Sequence, residues 1–228
     1  MKQINFDFLT EFYDSEASRR IAGEISSRVK RILRGKRVLT IGFCGDFLDS
    51  LEAGELYYAL PRSHEVLHCP AVSPLKTIIF EDNVLPFASN SWDAVVLIHH
   101  MEFYGKNPAF LRELSRVLKN DGNLIVIAIN KNSSNAFRKK NGAAGNIRLS
   151  PKDIVAAIMG ASFDIRGIFG VNQRFSFWPY KFSYKLNRYN EILINCFPFF
   201  SDVVVLVAGK DGSIPEPMTA LEKQYGMT

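Results

Sequence analysis

Two apolar runs, Trp92-Asp93-Ala94-Val95-Val96-Leu97-Ile98-His99 and Leu124-Ile125-Val126-Ile127-Ala128-Ile129, flank one amphipathic segment. No other stretch restricts the fold as strongly. Each run is short and rich in β-branched residues, as a strand buried on both faces requires. Between them, Pro108 to Lys119 sets Phe110, Leu111, Leu114, Val117 and Leu118 on one helical face. Asn120-Asp121-Gly122 then supplies a tight turn into the second run. A strand, a helix of this length and a second strand make a βαβ crossover, so the two strands are parallel.

The same alternation extends in both directions. Asp14 or Ser15 can cap a helix whose Ala17, Ile21, Ile25, Val29, Ile32 and Leu33 recur at helical spacing, with Gly35 as the stop. Strands are expected at Arg37–Gly42, Leu56–Leu60, Lys76–Phe80, Phe163–Phe169 and Val203–Ala208. Brief helices are expected over Asp46–Glu52 and around Tyr189–Cys196. Ser150-Pro151-Lys152-Asp153 reads as a helix start with Ser150 as N-cap. Pro61, Pro70 and Pro74 oppose a regular helix between the second and third strands. The polar segment 130–146 reads as a lid-like loop. These elements imply an α/β protein: a Rossmann-like, seven-stranded, mostly parallel sheet with helices on both faces. The expected organisation is a helical segment over 1–36, the α/β domain over 37–210 and a loose tail over 211–228.

Composition narrows the setting. A chain of 228 residues with 47% hydrophobic and 22% charged residues suits one soluble domain. No apolar run approaches the ~18 residues of a membrane span, and the acidic, interrupted N-terminus is no secretory signal. Cys44, Cys69 and Cys196 are scattered and odd in number, which points to reduced thiols and a cytoplasmic location. The net charge of +5 is a mild surplus compatible with anionic substrates, membrane surfaces or RNA, and it decides nothing alone.

The turns at the strand ends carry the functional signal. Ligands of doubly wound sheets bind at the carboxyl ends of parallel strands, where a glycine lets the backbone approach them. Thr40-Ile41-Gly42-Phe43-Cys44-Gly45-Asp46 follows the first strand, Glu81-Asp82-Asn83-Val84-Leu85-Pro86-Phe87 the third, and His99-His100-Met101-Glu102 the fourth. In order and wording, the stretch from Glu81 to Ile129 resembles the class I S-adenosylmethionine (SAM) dependent methyltransferases, especially their type 11 group. The resemblance covers roughly Arg37 to Lys210. It implies SAM as cofactor, a final antiparallel strand at Val203–Ala208, and a glycine turn at Gly42. Thr40 stands where the family has an acid; Cys44 and Asp46 stand where it has its second and third glycines. Glu81 holds the position of the acid that meets the adenine amino group, with Asp82 beside it. The family's ribose-binding carboxylate has no counterpart in Ala59-Leu60-Pro61-Arg62. The resemblance thus assigns Thr40, Gly42, Phe43, Gly45, Leu60, Glu81, Asp82 and His99 to the cofactor.

Methyl transfer from a sulfonium needs alignment in a dry pocket, and a base only when the acceptor must lose a proton. His99 and His100 are the candidate bases, and Glu102, Tyr104 and Trp178 the candidate acceptor contacts. Adjacent histidines point in different directions, so at least one is expected to be structural. Ile98-His99-His100-Met101 is not a nucleobase amino-methylation motif, and Cys69-Pro70 reverses the order of a cytosine-methylating Pro-Cys, so DNA is an unlikely acceptor. A small molecule fits better. The alternative on the same fold is a non-catalytic binding or scaffold protein that has lost cofactor contacts. His64-Glu65-Val66-Leu67-His68 spells a zinc-hydrolase signature, but Cys69-Pro70 ends the helix that signature needs. No metal is therefore expected. The alternating basic and aromatic residues from Arg174 to Lys185 suit nucleotide stacking, a lipid interface or cover for the sheet edge.

Overall fold

The computed structural model describes residues 9, 16–43, 51–61, 76–81, 83–131, 149–173 and 201–210. Helix α1 (Glu16–Leu33) precedes strand β1 (Arg37–Gly42), followed by β2 (Glu55–Pro61), β3 (Lys76–Phe80) and β4 (Trp92–Ile98). Helices α2 (His100–Tyr104) and α3 (Pro108–Val117) lead to β5 (Leu118–Ile129). Helix α4 (Pro151–Met159), β6 (Phe163–Gln173) and β7 (Ser201–Lys210) follow. The strands form one seven-stranded sheet in the order β3-β2-β1-β4-β5-β7-β6. The first five run parallel; β7 is antiparallel to both β5 and β6. This is the Rossmann-like sheet expected, with the antiparallel strand where it was placed.

Period-two alternation sorts each central strand between two apolar layers. On β4, Val95 and Leu97 join the layer under α3 and α4, with Leu114, Val117, Ile154 and Ile158. Ala94, Val96 and Ile98 point the other way, to Ile25, Val29 and Leu33 of α1. Every side chain of β7 from Ser201 to Gly209 is buried, because the strand lies inside the sheet rather than at its edge.

Several boundaries differ from the sequence expectation. Helix α3 stops at Val117 rather than Lys119, because Leu118 is extended (φ −73°, ψ 139°) and pairs with Trp92. The ladder resumes only at Asn123 opposite Ala94, so Lys119 to Gly122 bulge out of β5 rather than making a plain turn before it. Strand β4 ends at Ile98, not His99, and is followed by α2, which sequence reasoning missed. Strands β6 and β7 are longer than expected. Most of the helix expected over Asp46–Glu52, the helix expected around Tyr189–Cys196, most of the loop 130–146 and the tail 211–228 lie outside the described residues.

The start of α4 follows the capping rule. Ser150 Oγ accepts from the Asp153 amide (3.2 Å), and the Asp153 carboxylate accepts from the Ser150 amide (2.8 Å) and hydroxyl (2.5 Å). Those two Ser150 bonds hold the Asp153 carboxyl at about 2, below its usual value of 3.8. A carboxyl depressed in the folded state adds stability above its unfolded pKa, lost as pH falls through the folded one. Ser150→Ala is therefore expected to cost about 1 kcal/mol at neutral pH. The gap from the parent should close as pH falls from about 4 to about 2. Urea titrations at several pH values check this; a gap constant with pH would show that the box is not the source.

Candidate active site

The sheet order reverses between β1 and β4: the chain leaves β1 toward β2 and leaves β4 toward β5. Their carboxyl ends therefore form the switch point, the place where such sheets bind ligands. Gly42 ends β1 with φ +112°, and a Cβ there would overlap the Ile98 carbonyl oxygen and lie 3.2 Å from the His100 Cβ. The close approach that demands glycine is thus first an approach of β4 itself. Phe43 N–H donates to the same Ile98 carbonyl (2.7 Å). The Tyr58 hydroxyl, reaching across from β2, donates to the Gly42 carbonyl. Burial pushes the Tyr58 phenol above its ordinary range, so it stays a donor.

His99 adopts the left-handed conformation (φ 52°, ψ 18°), uncommon for a residue with a Cβ. Its amide donates to the Ile127 carbonyl (2.8 Å), and its fully buried ring meets Phe43 edge-on, with centroids 6.2 Å apart. His99 Nδ1 lies 2.9 Å from Glu102 Oε1, and the same oxygen accepts from the Ile129 amide (2.6 Å). Glu102 is buried, and its Oε2 has no hydrogen-bond partner among the described residues. Helix α2 exists to make this return: one turn after His99 brings Glu102 back beneath the ring. His100 points elsewhere. It stacks between Tyr104 (4.3 Å) and Phe110 (4.7 Å), and Phe110 stacks on Phe80 (5.9 Å), forming a ring column from the end of β3 to α2. Burial, with Tyr58 nearby, raises the Tyr104 phenol, so this group too is a hydrogen-bond donor rather than a base.

The remaining positions spread along the strand ends. Thr40 is buried, and its hydroxyl donates to the Tyr57 carbonyl inside the sheet (2.9 Å). Phe43 is buried, Leu60 is half-buried near the end of β2, and Glu81 is exposed just past the end of β3. Gly45, Asp82 and Trp178 lie outside the described residues, as do His64, Glu65 and His68. The structure thus brings Gly42, Phe43, His99 and Glu102 together and sets Glu81 two strands away.

The Leu85-Pro86-Phe87 turn is held by α3. Glu113 accepts from the Leu85 amide (2.9 Å), while Arg116 donates to the Leu85 carbonyl (3.1 Å) and to Glu113 (2.7 Å). The Arg116 hydrogen bonds keep the Glu113 carboxyl below its usual range. Phe87 and Tyr57 pack edge-on against Trp92 (4.9 and 5.1 Å). Sequence reasoning missed this clamp, although Glu113 and Arg116 sit at the i,i+3 spacing of a helical ion pair. It also missed Tyr58, for which an in-strand tyrosine offers no signal.

Comparison with known proteins agrees with this architecture. Residues 42–126 match the methyltransferase domain family Methyltransf_11. A SAM-dependent methyltransferase of Archaeoglobus fulgidus superposes with a TM-score of 0.61 at 16% identity, covering 90% of this chain and 99% of that one. One from Thermotoga maritima gives 0.60 at 16% identity, covering 83% and 89%. A chain of the Haloferax volcanii complex between the Trm112 methyltransferase activator and a methyltransferase gives 0.58 at 15%, covering 86% and 92%. No curated protein sequence matches significantly. The chain has the class I methyltransferase fold, and its matched segment runs from the glycine at the end of β1 into β5. No helix among the described residues is long and apolar enough to cross a membrane.

Proposed function

We propose that this protein is a cytoplasmic, SAM-dependent methyltransferase acting on a small-molecule acceptor. The observation that carries the reading is the switch point: Gly42, Phe43, His99 and the buried Glu102 converge there, inside the segment matched to the methyltransferase domain. The residues fit a nucleoside with a cationic tail at two of three points. Glu81 is exposed at the adenine position, and Glu102 offers a buried carboxylate oxygen without a protein donor among the described residues. At the ribose position, Ala59-Leu60-Pro61 supplies no acid, so backbone groups must serve there. When bound, SAM supplies an already activated methyl group. The chain's task is to orient the acceptor, exclude water and, through His99, receive a proton. Phe43, Thr40 and Leu60 shape the cofactor side, with Gly45 and Asp82 assigned to it by resemblance. Glu102 is assigned to the boundary between the cofactor's tail and the acceptor side, and Tyr104 and Trp178 to the acceptor side.

Calorimetric titration with SAM and with S-adenosylhomocysteine tests this. Saturable one-to-one binding in the micromolar range is expected. Glu81→Ala should weaken it by roughly tenfold or more, as loss of a charge-assisted hydrogen bond of about 1.5–3 kcal/mol requires. Glu81 is a suitable probe because it is exposed; a Gly42 variant would damage the fold as well as the site. Absence of binding by either ligand at millimolar concentration would sink the proposal and leave the fold as a scaffold.

A further inference from the structure

We propose that the acceptor carries an anionic group, a carboxylate or a phosphate, and that Lys106 and Lys131 bind this group beside the switch point. The two lysines come from separate elements. Lys106 lies between α2 and α3, after β4, and Lys131 follows β5 closely. Both therefore sit past the carboxyl ends of neighbouring parallel strands, the end of the sheet where ligands bind. The Lys131 amide donates to the Leu149 carbonyl (2.9 Å), which brings the start of α4 alongside. There the two ammonium groups converge on one carboxylate. Lys106 Nζ lies 3.8 Å from Asp153 Oδ1, and Lys131 Nζ lies 3.6 Å from Asp153 Oδ2.

Folding alone does not account for the pair. Asp153 already accepts two hydrogen bonds from Ser150 (2.8 and 2.5 Å) in the capping box. Both lysine distances exceed hydrogen-bond reach, and each lysine side chain is 41% exposed. Exposed ion pairs of this kind contribute little to stability. Two cations share one anion, so a positive charge is left over, and the exposed Lys152 adds another. Surplus positive charge beside the amino end of a helix opposes the helix dipole, so stability selects against it. The ammonium donors are also unspent: neither Lys106 nor Lys131 uses its side chain in a hydrogen bond among the described residues.

The lysines stand on the acceptor side of the switch point. The cofactor candidates Gly42, Leu60 and Glu81 lie at or near the ends of β1, β2 and β3, whereas β4 and β5 continue the sheet from β1 in the other direction. Glu102 links the lysines to the switch point. It precedes Lys106 on the same connection, and its Oε1 accepts from the amide of Ile129, shortly before Lys131 (2.6 Å). An acceptor whose anion meets both lysines therefore reaches from the switch point across the ends of β4 and β5. The charges are arranged to match: carboxylates at Glu81 and Glu102 favour a cationic cofactor and repel the acceptor's anion from the cofactor's place. That the anion belongs to a methyl acceptor rests on the methyltransferase reading; the lysine subsite does not.

The first test needs neither cofactor nor acceptor. Protein labelled with 15N at lysine is titrated with inorganic phosphate and with acetate, each exchanged for chloride at constant ionic strength. Saturable shifts at Lys106 and Lys131 are expected, and the anion that binds more tightly separates phosphate from carboxylate acceptors. Affinity should fall about tenfold or more when Lys106→Gln and Lys131→Gln are combined, as loss of charge-assisted bonds requires. It should recover in the paired arginine variant and stay unchanged in Lys152→Gln. A response that does not saturate, equal affinity in the glutamine variant, or equal shifts at Lys152 would overturn the proposal. The second test is methyl transfer to matched acceptors, an acid against its amide and a phosphate monoester against its alcohol. The parent protein should favour the charged member in KM by about tenfold, and the paired glutamine variant should lose that preference. Equal use of both members by the parent would overturn the proposal and leave the methyltransferase reading in place. Saturable anion binding in a protein that binds no SAM would uphold the lysine subsite and sink the methyltransferase reading, so the two failures are distinguishable.

Discussion

Alanine at position 42 is expected to destabilise the protein by about 3 kcal/mol or more, read as a fall of roughly 6–12 °C in Tm. Two costs combine. At φ +112° a side chain is strained wherever space exists, and here there is none, since the added carbon overlaps the Ile98 carbonyl oxygen. That carbonyl cannot retreat freely: it accepts from Phe43 N–H, and the next residue, His99, is tied by its own amide to Ile127. Relief would have to break the β1–β4 contact at the switch point or distort the left-handed His99. Thermal unfolding followed by circular dichroism decides the matter. A shift below about 2 °C would mean that the end of β4 yields, and that Gly42 is present for a ligand rather than for the strand beside it.

Trp92→Ala is expected to cost about 3–5 kcal/mol, the range for truncating a large buried aromatic side chain. Trp92 is almost fully buried at the opposite end of β4. Phe87 and Tyr57 meet its faces edge-on, and the Arg37 guanidinium lies 4.6 Å from its ring centroid. Losing the indole also loosens Phe87, and with it the turn that Glu113 and Arg116 clamp to α3. Trp92→Phe should be far milder. It keeps an aromatic edge and removes an indole N–H that has no hydrogen-bond partner among the described residues. Urea unfolding of the three proteins checks the order; equal losses in both variants would show that the site needs the full indole volume and that a phenyl ring does not substitute for it.

These substitutions show why the fold was more legible than the site. Leu85-Pro86-Phe87, Trp92, Glu113 and Arg116 form the most recognisable part of the sequence, and in the structure they chiefly hold one another. Such a motif is written in local spacing, so a reader of the sequence recovers the βαβ unit and the parallel sheet from it. The site depends on contacts between distant residues. Glu102 meets the Ile129 amide across 27 positions, and Tyr58 reaches Gly42 across 16. Neither separation leaves a periodic trace. Helix α2 is too short to show a helical period, and its entry through a left-handed histidine carries none of the usual capping residues. Sequence reasoning therefore selected His99 and Glu102 from their place after β4, without the hydrogen bonds that join them. Glycine at position 42 was legible as a requirement, but the neighbour that imposes it was not.

The placement of β7 sets the order in which this protein can become complete. Among the described residues, strand β6 pairs only with β7, and β7 separates it from β5. Six strands are synthesised before the one that belongs in the interior of the sheet. Until residue 210 has left the ribosome, Asn123 to Ile129 lack the strand that pairs with their strongly apolar edge, and β6 lacks β7. Long-range closure of this kind is slow and leaves edges open to other chains. A nascent chain of this protein therefore depends on its final strand, arriving late and from the opposite direction, to seal what the first five have built.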